Sequence, residues 1–568
     1  MKILFIRHGE SQSNTGAVKA SSPDHINGLT KEGETQIKKI AKSIPYKIDA
    51  IYASPYNRTI VSGNIFIDNR SEKLELKVDD RLREINYGIY TNDRNNPEME
   101  RIAKRQIADD YEIRFSDSGE NKREIITRFM SFLLRLIDEQ KINDTIVVFS
   151  HGRAISILEY EFAKLTNSRS SHIHTSNGSI NQINLKVQNR EILEKFIVKL
   201  NKKEISERLN VVNKIINKST EKQAVETYKN NLIKIAKNNL DEIDLSREVL
   251  SQFANGLFSS KISAKKCEIN QKILTKNDIV LLVVFKNATN FIKHFIDHYK
   301  KIGIKYFVFI NNDSDDNSIN IIYDNSQDVL VDVWCTKDRF DAIKAMGWKQ
   351  RLMVYYGLDH WYLNLDIDEL LVFNGIEQYG IEQLIHYATE NNLSTVGSVM
   401  LDMYPNMQIT QVNSIPNEKI LEYYCYYDKD TYQKVGNQKY ENRIFGGPRM
   451  RSFDIAPSLQ KYPLIYPTRD SMGINPHFWY PYRINMQSRL VSALLHYKFL
   501  PHDFSRYVEY TKTGVHYNNS SEYKKYIETI QKNPKLNFYN KNYSVKYQTS
   551  ADLKNIKIIE QDLKIKVK

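Results

Sequence analysis

The sequence predicts an α/β protein made of two separate α/β domains joined by helices, and three observations carry that expectation. Short apolar runs stop abruptly at polar, chemistry-bearing residues after Ile6, Ala53 and Phe149, and again after Phe285, Ile310 and Leu365. Helical periodicity separates these runs, which is the alternation of parallel sheets rather than of hairpins. At 568 residues the chain also exceeds what one core supports. The expected organisation is residues 1–195 as a first domain, 196–274 as a helical connector, 275–535 as a second domain and 536–568 as a basic C-terminal tail.

The first run, Ile3-Leu4-Phe5-Ile6, reads as a buried strand ending at Arg7-His8-Gly9. The carboxyl end of such a strand is where an α/β domain places a ligand, so Arg7 and His8 are delivered to a cleft. Gly9 is expected to let the backbone approach that ligand. Thr30 followed by Glu32, Gly33 and Glu34, with Ile37, Ile40 and Ala41 behind them, predicts a helix capped by Thr30. Ala50–Ala53 is a second strand that Ser54-Pro55-Tyr56-Asn57-Arg58-Thr59 turns into a helix, and Thr145–Phe149 is a third, ending in Ser150-His151-Gly152-Arg153.

In this order RHGESQSN, SPYNRT, LREINYG and SHG resemble the histidine phosphatase superfamily, which includes the phosphoglycerate mutases. The resemblance covers the first third of the chain and implies a phosphoglycerate mutase-like three-layer α/β/α domain. It implies that His8 is a nucleophile forming phosphohistidine. Arg7, Arg58 and His151 would bind the phosphoryl group, Asn14 would add a phosphate contact, and Glu84 would protonate the leaving oxygen. Elementary chemistry agrees, because a phosphoryl group in transit spreads negative charge that guanidinium and imidazole groups stabilise. No cofactor is needed for this half. The polar segment Tyr87–Asn121 lies where the family inserts its substrate cap, and Ser118-Gly119-Glu120-Asn121 only loosely matches the family loop; a small phosphorylated metabolite is the expected substrate.

In the connector, Ile205, Leu209, Val212 and Ile216, then Val225, Tyr228, Leu232 and Ile235, step by three and four and predict two amphipathic helices. Thr220 with Gln223 reads as a capping box for the second.

Asp278–Phe285 begins the second domain as a continuous apolar strand ending at Lys286-Asn287. A helix with Phe291, Phe295, Ile296 and Tyr299 on one side follows, then Tyr306–Ile310 running into Asn311-Asn312-Asp313-Ser314-Asp315-Asp316-Asn317-Ser318. This βαβ order suits nucleotide binding, with Asp313 reaching ribose hydroxyls or a base edge. In Trp361–Leu371, alternation puts Asp366 and Asp368 on one side of a strand end, where they would share a divalent ion.

Together these motifs are similar to GT-A glycosyltransferases of families 2 and 92, with the match continuing through His496-Tyr497-Lys498-Phe499, Gly514-Val515-His516-Tyr517 and Glu522-Tyr523. The resemblance implies a Rossmann-like GT-A domain using a nucleotide sugar held by Asn287, Asp313 and Asp366, with Mn²⁺ or Mg²⁺ on Asp366, Asp368 and His496 or His477. Glu369 would orient the loop, and Asp402 and His477 are candidate bases. Ala288 departs from the acid usual after Asn287. The Phe445–Arg451 loop beside the tyrosines of 423–432 suits a sugar or phosphorylated acceptor.

The charge balance, 81 basic against 68 acidic residues, gives +13 and favours anionic partners without choosing among them. No motif for specific nucleic-acid recognition is present. Cys267, Cys335 and Cys425 are scattered, with neither zinc spacing nor a disulfide pattern, which suits a reducing cytoplasm. No apolar run approaches the ~18 residues of a spanning helix, and there is no room for a signal segment before Arg7. Lysines from Lys554 to Lys568 read first as a solvated tail, with peripheral contact with the inner membrane face as the alternative. The combined expectation is a bifunctional enzyme, a phosphatase joined to a glycosyltransferase with a saccharide acceptor, in bacterial surface polysaccharide synthesis. The alternative is one catalytic half with a phosphosugar-binding partner.

Overall fold

The computed structural model describes residues 1–16, 27–88, 96–107, 110–116, 119–167, 176–238, 245–269, 274–437, 441–513 and 517–560. It divides into two compact units. The first comprises Met1–Glu207, Lys237–Ile243 and Val435–Gln438; the second comprises Arg208–Ala236, Asp244–Lys434 and Lys439–Lys568.

In chain order the first unit carries β1 (Lys2–Arg7), α1 (Lys31–Ser43), β2 (Ala50–Ala53), α2 (Asn57–Asp68), β3 (Leu76–Val78), α3 (Pro97–Ile107), α4 (Lys122–Glu139), β4 (Thr145–Ser150), α5 (Gly152–Thr166), β5 (Ile180–Asn184) and α6 (Asn189–Leu200). Among the described residues the strands form one sheet in the order β3-β2-β4-β1-β5. Only β5 runs antiparallel, so β1, β2 and β4 lie side by side with their carboxyl ends at one edge. One face is covered by α4, α5 and α6 through Phe129, Leu133, Leu158 and Leu193, and the other by α1 and α2 through Ile37, Ala41 and Phe66. That is the expected three-layer arrangement. Thr30 caps α1 by accepting from the Gly33 amide.

Then follow α7 (Lys202–Asn217), α8 (Lys222–Asn238), α9 (Arg247–Phe258), β6 (Ser263–Lys266), β7 (Ile279–Phe285), α10 (Ile292–Lys301), β8 (Tyr306–Asn312), α11 (Ser318–Asn325), β9 (Leu330–Thr336), α12 (Ala342–Tyr356), β10 (Trp361–Asp366), β11 (Glu369–Phe373), α13 (Ile376–Tyr379), α14 (Glu382–Glu390) and β12 (Thr395–Asp402). The chain ends with α15 (Ile420–Tyr423), β13 (Tyr426–Asp428), β14 (Gln433–Asn437), β15 (Glu441–Phe445), α16 (Gly447–Phe453), β16 (Gln460–Ile465), β17 (Met472–Asn475), β18 (Phe478–Tyr480), α17 (Arg483–Met486), β19 (Leu490–His496), α18 (Asp503–Thr513), α19 (Tyr517–Lys532) and β20 (Ser544–Lys546).

The second unit is organised on a nine-stranded sheet among the described residues, ordered β11-β19-β12-β16-β10-β7-β8-β9-β6. Strands β7, β8, β9, β10, β12 and β19 share one direction; β16, β11 and β6 oppose it. The carboxyl ends at Asp366, Asp402 and His496 therefore share an edge with the starts of β16 and β11. All four tryptophans, Trp334, Trp348, Trp361 and Trp479, are buried in this unit.

Three sequence expectations change here. The connector is shared between the units, and its second part is core: Tyr228 and Leu232 of α8 and Phe253 and Leu257 of α9 are fully buried beside Met346 and Val354 of α12. Thr220 is not the residue directly before α8, which starts at Lys222, and the Gln223 side-chain amide donates to the Val354 carbonyl. The tail is structured through residue 560: β20 pairs with β13, and Leu553, Ile556 and Ile559 enter the core. Residues 561–568, including the last lysines, lie outside the described residues. Among the described residues no helix is long and apolar enough to cross a membrane.

Candidate functional sites

In the first unit the sheet order β2-β4-β1 brings Arg58, His151 and His8 together. His8 Nδ1 lies 2.7 Å from the Gly9 carbonyl, which can only accept, so Nδ1 carries the hydrogen and Nε2 keeps its lone pair. Arg58 Nε donates to that Nε2 at 3.2 Å and its Nη2 reaches His151 Nδ1 at 3.3 Å, with the imidazole centroids 5.3 Å apart. A guanidinium is donor-only, so His151 accepts at Nδ1 and donates from Nε2 to Ser54 Oγ, 2.7 Å away. The Ser54 hydroxyl meets Thr59 Oγ1 at 3.0 Å, and Thr59 ends the chain by donating to the backbone carbonyls of Ser54 or Tyr56. Burial, then the positive Arg58 beside it, pushes the His151 imidazole well below the usual histidine range. The His151 imidazole is thus held neutral.

Glu84 stands 4.0 Å from His151 Nδ1, with one carboxylate oxygen accepting from the Ile85 amide at 2.9 Å. Its loop is braced by Glu120, which accepts from Arg83 Nη2 at 2.7 Å, Arg128 Nε at 3.0 Å and the Asn86 amide at 2.9 Å. Arg128 is 2 % exposed and also donates to the Arg81 carbonyl at 2.6 Å. Burial opposes the Glu120 charge, but Arg128 and Arg83 hold its carboxyl below the ordinary range. Asn14 uses its side-chain oxygen to accept from the Ser11 amide, the Ser11 hydroxyl and Asn177 Nδ2 at 2.9–3.0 Å, which turns its NH₂ group toward donation.

Sequence reading missed Ser54, Glu120, Arg128 and Asn177 as supporting residues. Glu120 was visible only as part of a loose loop match, whose Ser118 lies outside the described residues. Gly9 serves another purpose than expected: a Cβ there would strike the carbonyl of Gly33, so the glycine lets the His8 loop pack on the first turn of α1.

In the second unit the predicted residues gather at the carboxyl edge of the sheet. Asn287 (φ 49°) and Asp313 (φ 55°) follow β7 and β8 with left-handed backbones, a conformation unusual outside glycine. Asn287 donates its amide to Ser314 Oγ at 3.0 Å and its side chain to Asp315 at 2.7 Å, while the amide of the buried Ala288 donates to Ser318 Oγ at 2.8 Å. Asp313 is exposed beside them.

Asp366 and Asp368 do not form the expected pair along one strand, because β10 ends at Asp366 and the chain turns into β11. Asp366 Oδ2 accepts from Lys461 Nζ at 2.6 Å, and Lys349 Nζ lies 3.7 Å from Oδ1. The same Lys461 reaches Glu369 at 2.5 Å, and Glu369 accepts the Asp366 amide at 3.1 Å, fixing the turn. Burial opposes ionisation of Asp366, yet Lys461 and Lys349 hold its carboxyl well below the ordinary range. Asp368 faces His496 Nε2 at 3.5 Å, while His496 Nδ1 lies 2.6 Å from Asp402. Against burial, Asp368 and Asp402 raise the His496 imidazole to about 9, and both of its nitrogens face carboxylates. Among the described residues no three His, Cys, Asp or Glu side chains are arranged to hold an ion. Asp366, Asp368 and His496 do not fit the expected Mn²⁺ or Mg²⁺ set.

The two candidate bases separate. Asp402 gives one oxygen to His496 and the other to Arg449 Nε at 2.8 Å. His477 donates from Nδ1 to the Gln460 carbonyl at 3.0 Å, leaving Nε2 as an acceptor, and burial followed by Lys461 pushes it down to about 4. Residues 514–516 of the extended motif lie outside the described residues.

No curated protein matches the chain. Among solved structures it is similar to a phosphoserine phosphatase from Entamoeba histolytica in complex with phosphoserine, at 21% identity over 32% of this chain and 89% of that one, TM-score 0.26. It is also similar to a mycobacterial glucosyl-3-phosphoglycerate phosphatase complexed with VO3, at 20% identity over 32% and 91%, TM-score 0.26. A phosphoglycerate mutase from Bacillus anthracis aligns at 19% identity over 32% and 87%, TM-score 0.28. The model of the histidine phosphatase superfamily (branch 1) matches residues 3–197. The four spaced motifs and the His8–Arg58–His151 contacts fall within that match, and residues 3–197 are a histidine phosphatase superfamily domain.

Proposed function

We propose that the first unit hydrolyses phosphate monoesters of small metabolites through a phosphohistidine on His8. The observation that carries this reading is the fixed tautomer of His8, whose Nε2 lone pair faces Arg58 in a buried pocket. In the first step Nε2 forms a bond to phosphorus as the ester oxygen leaves, and Glu84 gives that oxygen a proton. Arg7, Arg58, the Asn14 amide and His151 stabilise the equatorial oxygens. In the second step water attacks phosphorus, Glu84 takes its proton, and His8 is released with inorganic phosphate. The test is acid-labile labelling of the chain by a phosphate ester during turnover. H8A should lose the label and at least about 10³-fold in kcat; label retained in H8A would assign the nucleophile elsewhere.

A second reading is specific to the second unit: transfer from a nucleotide sugar, with Asn287, Asp313 and Asp366 on the donor. It is supported by the meeting of these residues with His477 and Asp402 at the carboxyl edge of the parallel strands, the usual ligand crevice of such sheets. The full chain, incubated with uridine and guanosine diphosphate sugars and an acceptor mixture, should release nucleoside diphosphate from one of them. Silence across the panel would remove this reading and leave the phosphatase untouched.

A further inference from the structure

At Asp366 one carboxylate oxygen already accepts from a lysine and a second lysine stands near the other, so positive charge is supplied by side chains where a metal was expected. Lys461, 7 % exposed, uses two of its three N–H groups on Asp366 and Glu369. Lys349 Nζ, buried on the Leu365 carbonyl at 2.7 Å, stands on the other side of the same carboxylate. Arg449, 3 % exposed, spends Nε on Asp402 and Nη1 on Glu522, while its buried Nη2 meets no acceptor. Arg449 is linked to Asp366 through a short network: it donates to Asp402, whose other oxygen meets His496, and His496 in turn faces Asp368, two residues along from Asp366. Unmet buried donors cost free energy until an oxyanion arrives, and the Asp366 side chain, 51 % exposed, marks the open side.

We propose that this site binds the diphosphate of a nucleotide without a divalent cation, Lys461 supplying the counter-charge. The nucleotide as ligand rests on the transferase reading; the lysine in place of a metal does not. Lys461 turns its third N–H to a phosphate oxygen, and Lys349 keeps Asp366 neutralised as Lys461 leans away. A donor on Arg449 remains for a further phosphate oxygen.

The experiment is calorimetric titration of the full chain with uridine diphosphate and guanosine diphosphate, once in EDTA and once in Mn²⁺. The expected result is one Kd, within about 3-fold, in both buffers, with binding weakened on the order of 10²-fold in K461A and restored in K461R. Removing Lys461 leaves two carboxylates without their partner, so the comparison of buffers on the unaltered chain decides the matter if K461A fails to fold. Binding that appears only with Mn²⁺ would overturn the lysine role and keep the transferase reading. No binding of either nucleotide in either buffer would overturn both.

Discussion

The proton on each imidazole decides what the first site can do. In the proposed reaction His8 attacks through Nε2, because Gly9 takes its hydrogen at Nδ1, while the hydrogen of His151 is led through Ser54 and Thr59 to backbone carbonyls. The same proposal has Glu84 protonate the leaving oxygen, so E84Q should lower kcat on an alkyl phosphate by about 10²–10⁴-fold. The loss should be much smaller on p-nitrophenyl phosphate, whose leaving group needs no proton; equal losses on both esters would deny Glu84 the acid role. In the second unit the folded His496 pKa, about 9, stands above its unfolded value of about 6.5. Its stabilising contribution is complete below about 6.5 and is lost as pH rises toward 9. The melting temperature of the second unit should therefore fall over that window, and H496Q should flatten the slope. Arg7, His8 and His151 were legible as candidates because they follow short apolar runs, and Arg58 and Glu84 because they fall within spaced motifs. Asn177 and Arg128 were not, since each acts on partners fixed only by the fold: Asn177 reaches Asn14 across 163 residues.

Elements were legible where local chemistry and burial agree. Thr30 caps α1 as its pattern predicts, and the apolar strands stand where their runs do. Reading failed where an element boundary moves, as when α8 starts at Lys222 rather than directly after Thr220. The alternation assigned to Asp366 and Asp368 failed for a related reason, since pairing of β11 with β19 pulls the chain into a turn after Asp366. Glycine spacing gave no warning of the contact between α9 and α12, where Gly256 and Gly347 face each other's backbones. A methyl group on Gly347 would meet the Phe253 carbonyl and the Leu257 amide, which cannot yield as a side-chain end could. G347A should destabilise the second unit by about 1–3 kcal/mol, measured by urea unfolding, with phosphatase kcat unchanged.

At the scale of the molecule, the two units are built on separate sheets with separate hydrophobic clusters. The stretch expected to be a tail is part of the second core. A chain ending at residue 535 loses the pairing of Tyr427 with Val545 and the buried Leu553, Ile556 and Ile559, each worth about 1.5–3 kcal/mol. Such a chain should keep phosphatase activity while its second unit becomes insoluble or rapidly proteolysed; a stable second unit would show the segment to be dispensable.

The confinement of every tryptophan to the second unit gives the protein a built-in optical label. Indole emission excited at the red edge of absorption reports on that half alone, while tyrosine-weighted signals carry both. Comparing the two during denaturation separates the halves without a dye or a cut, and would display whether one melts before the other.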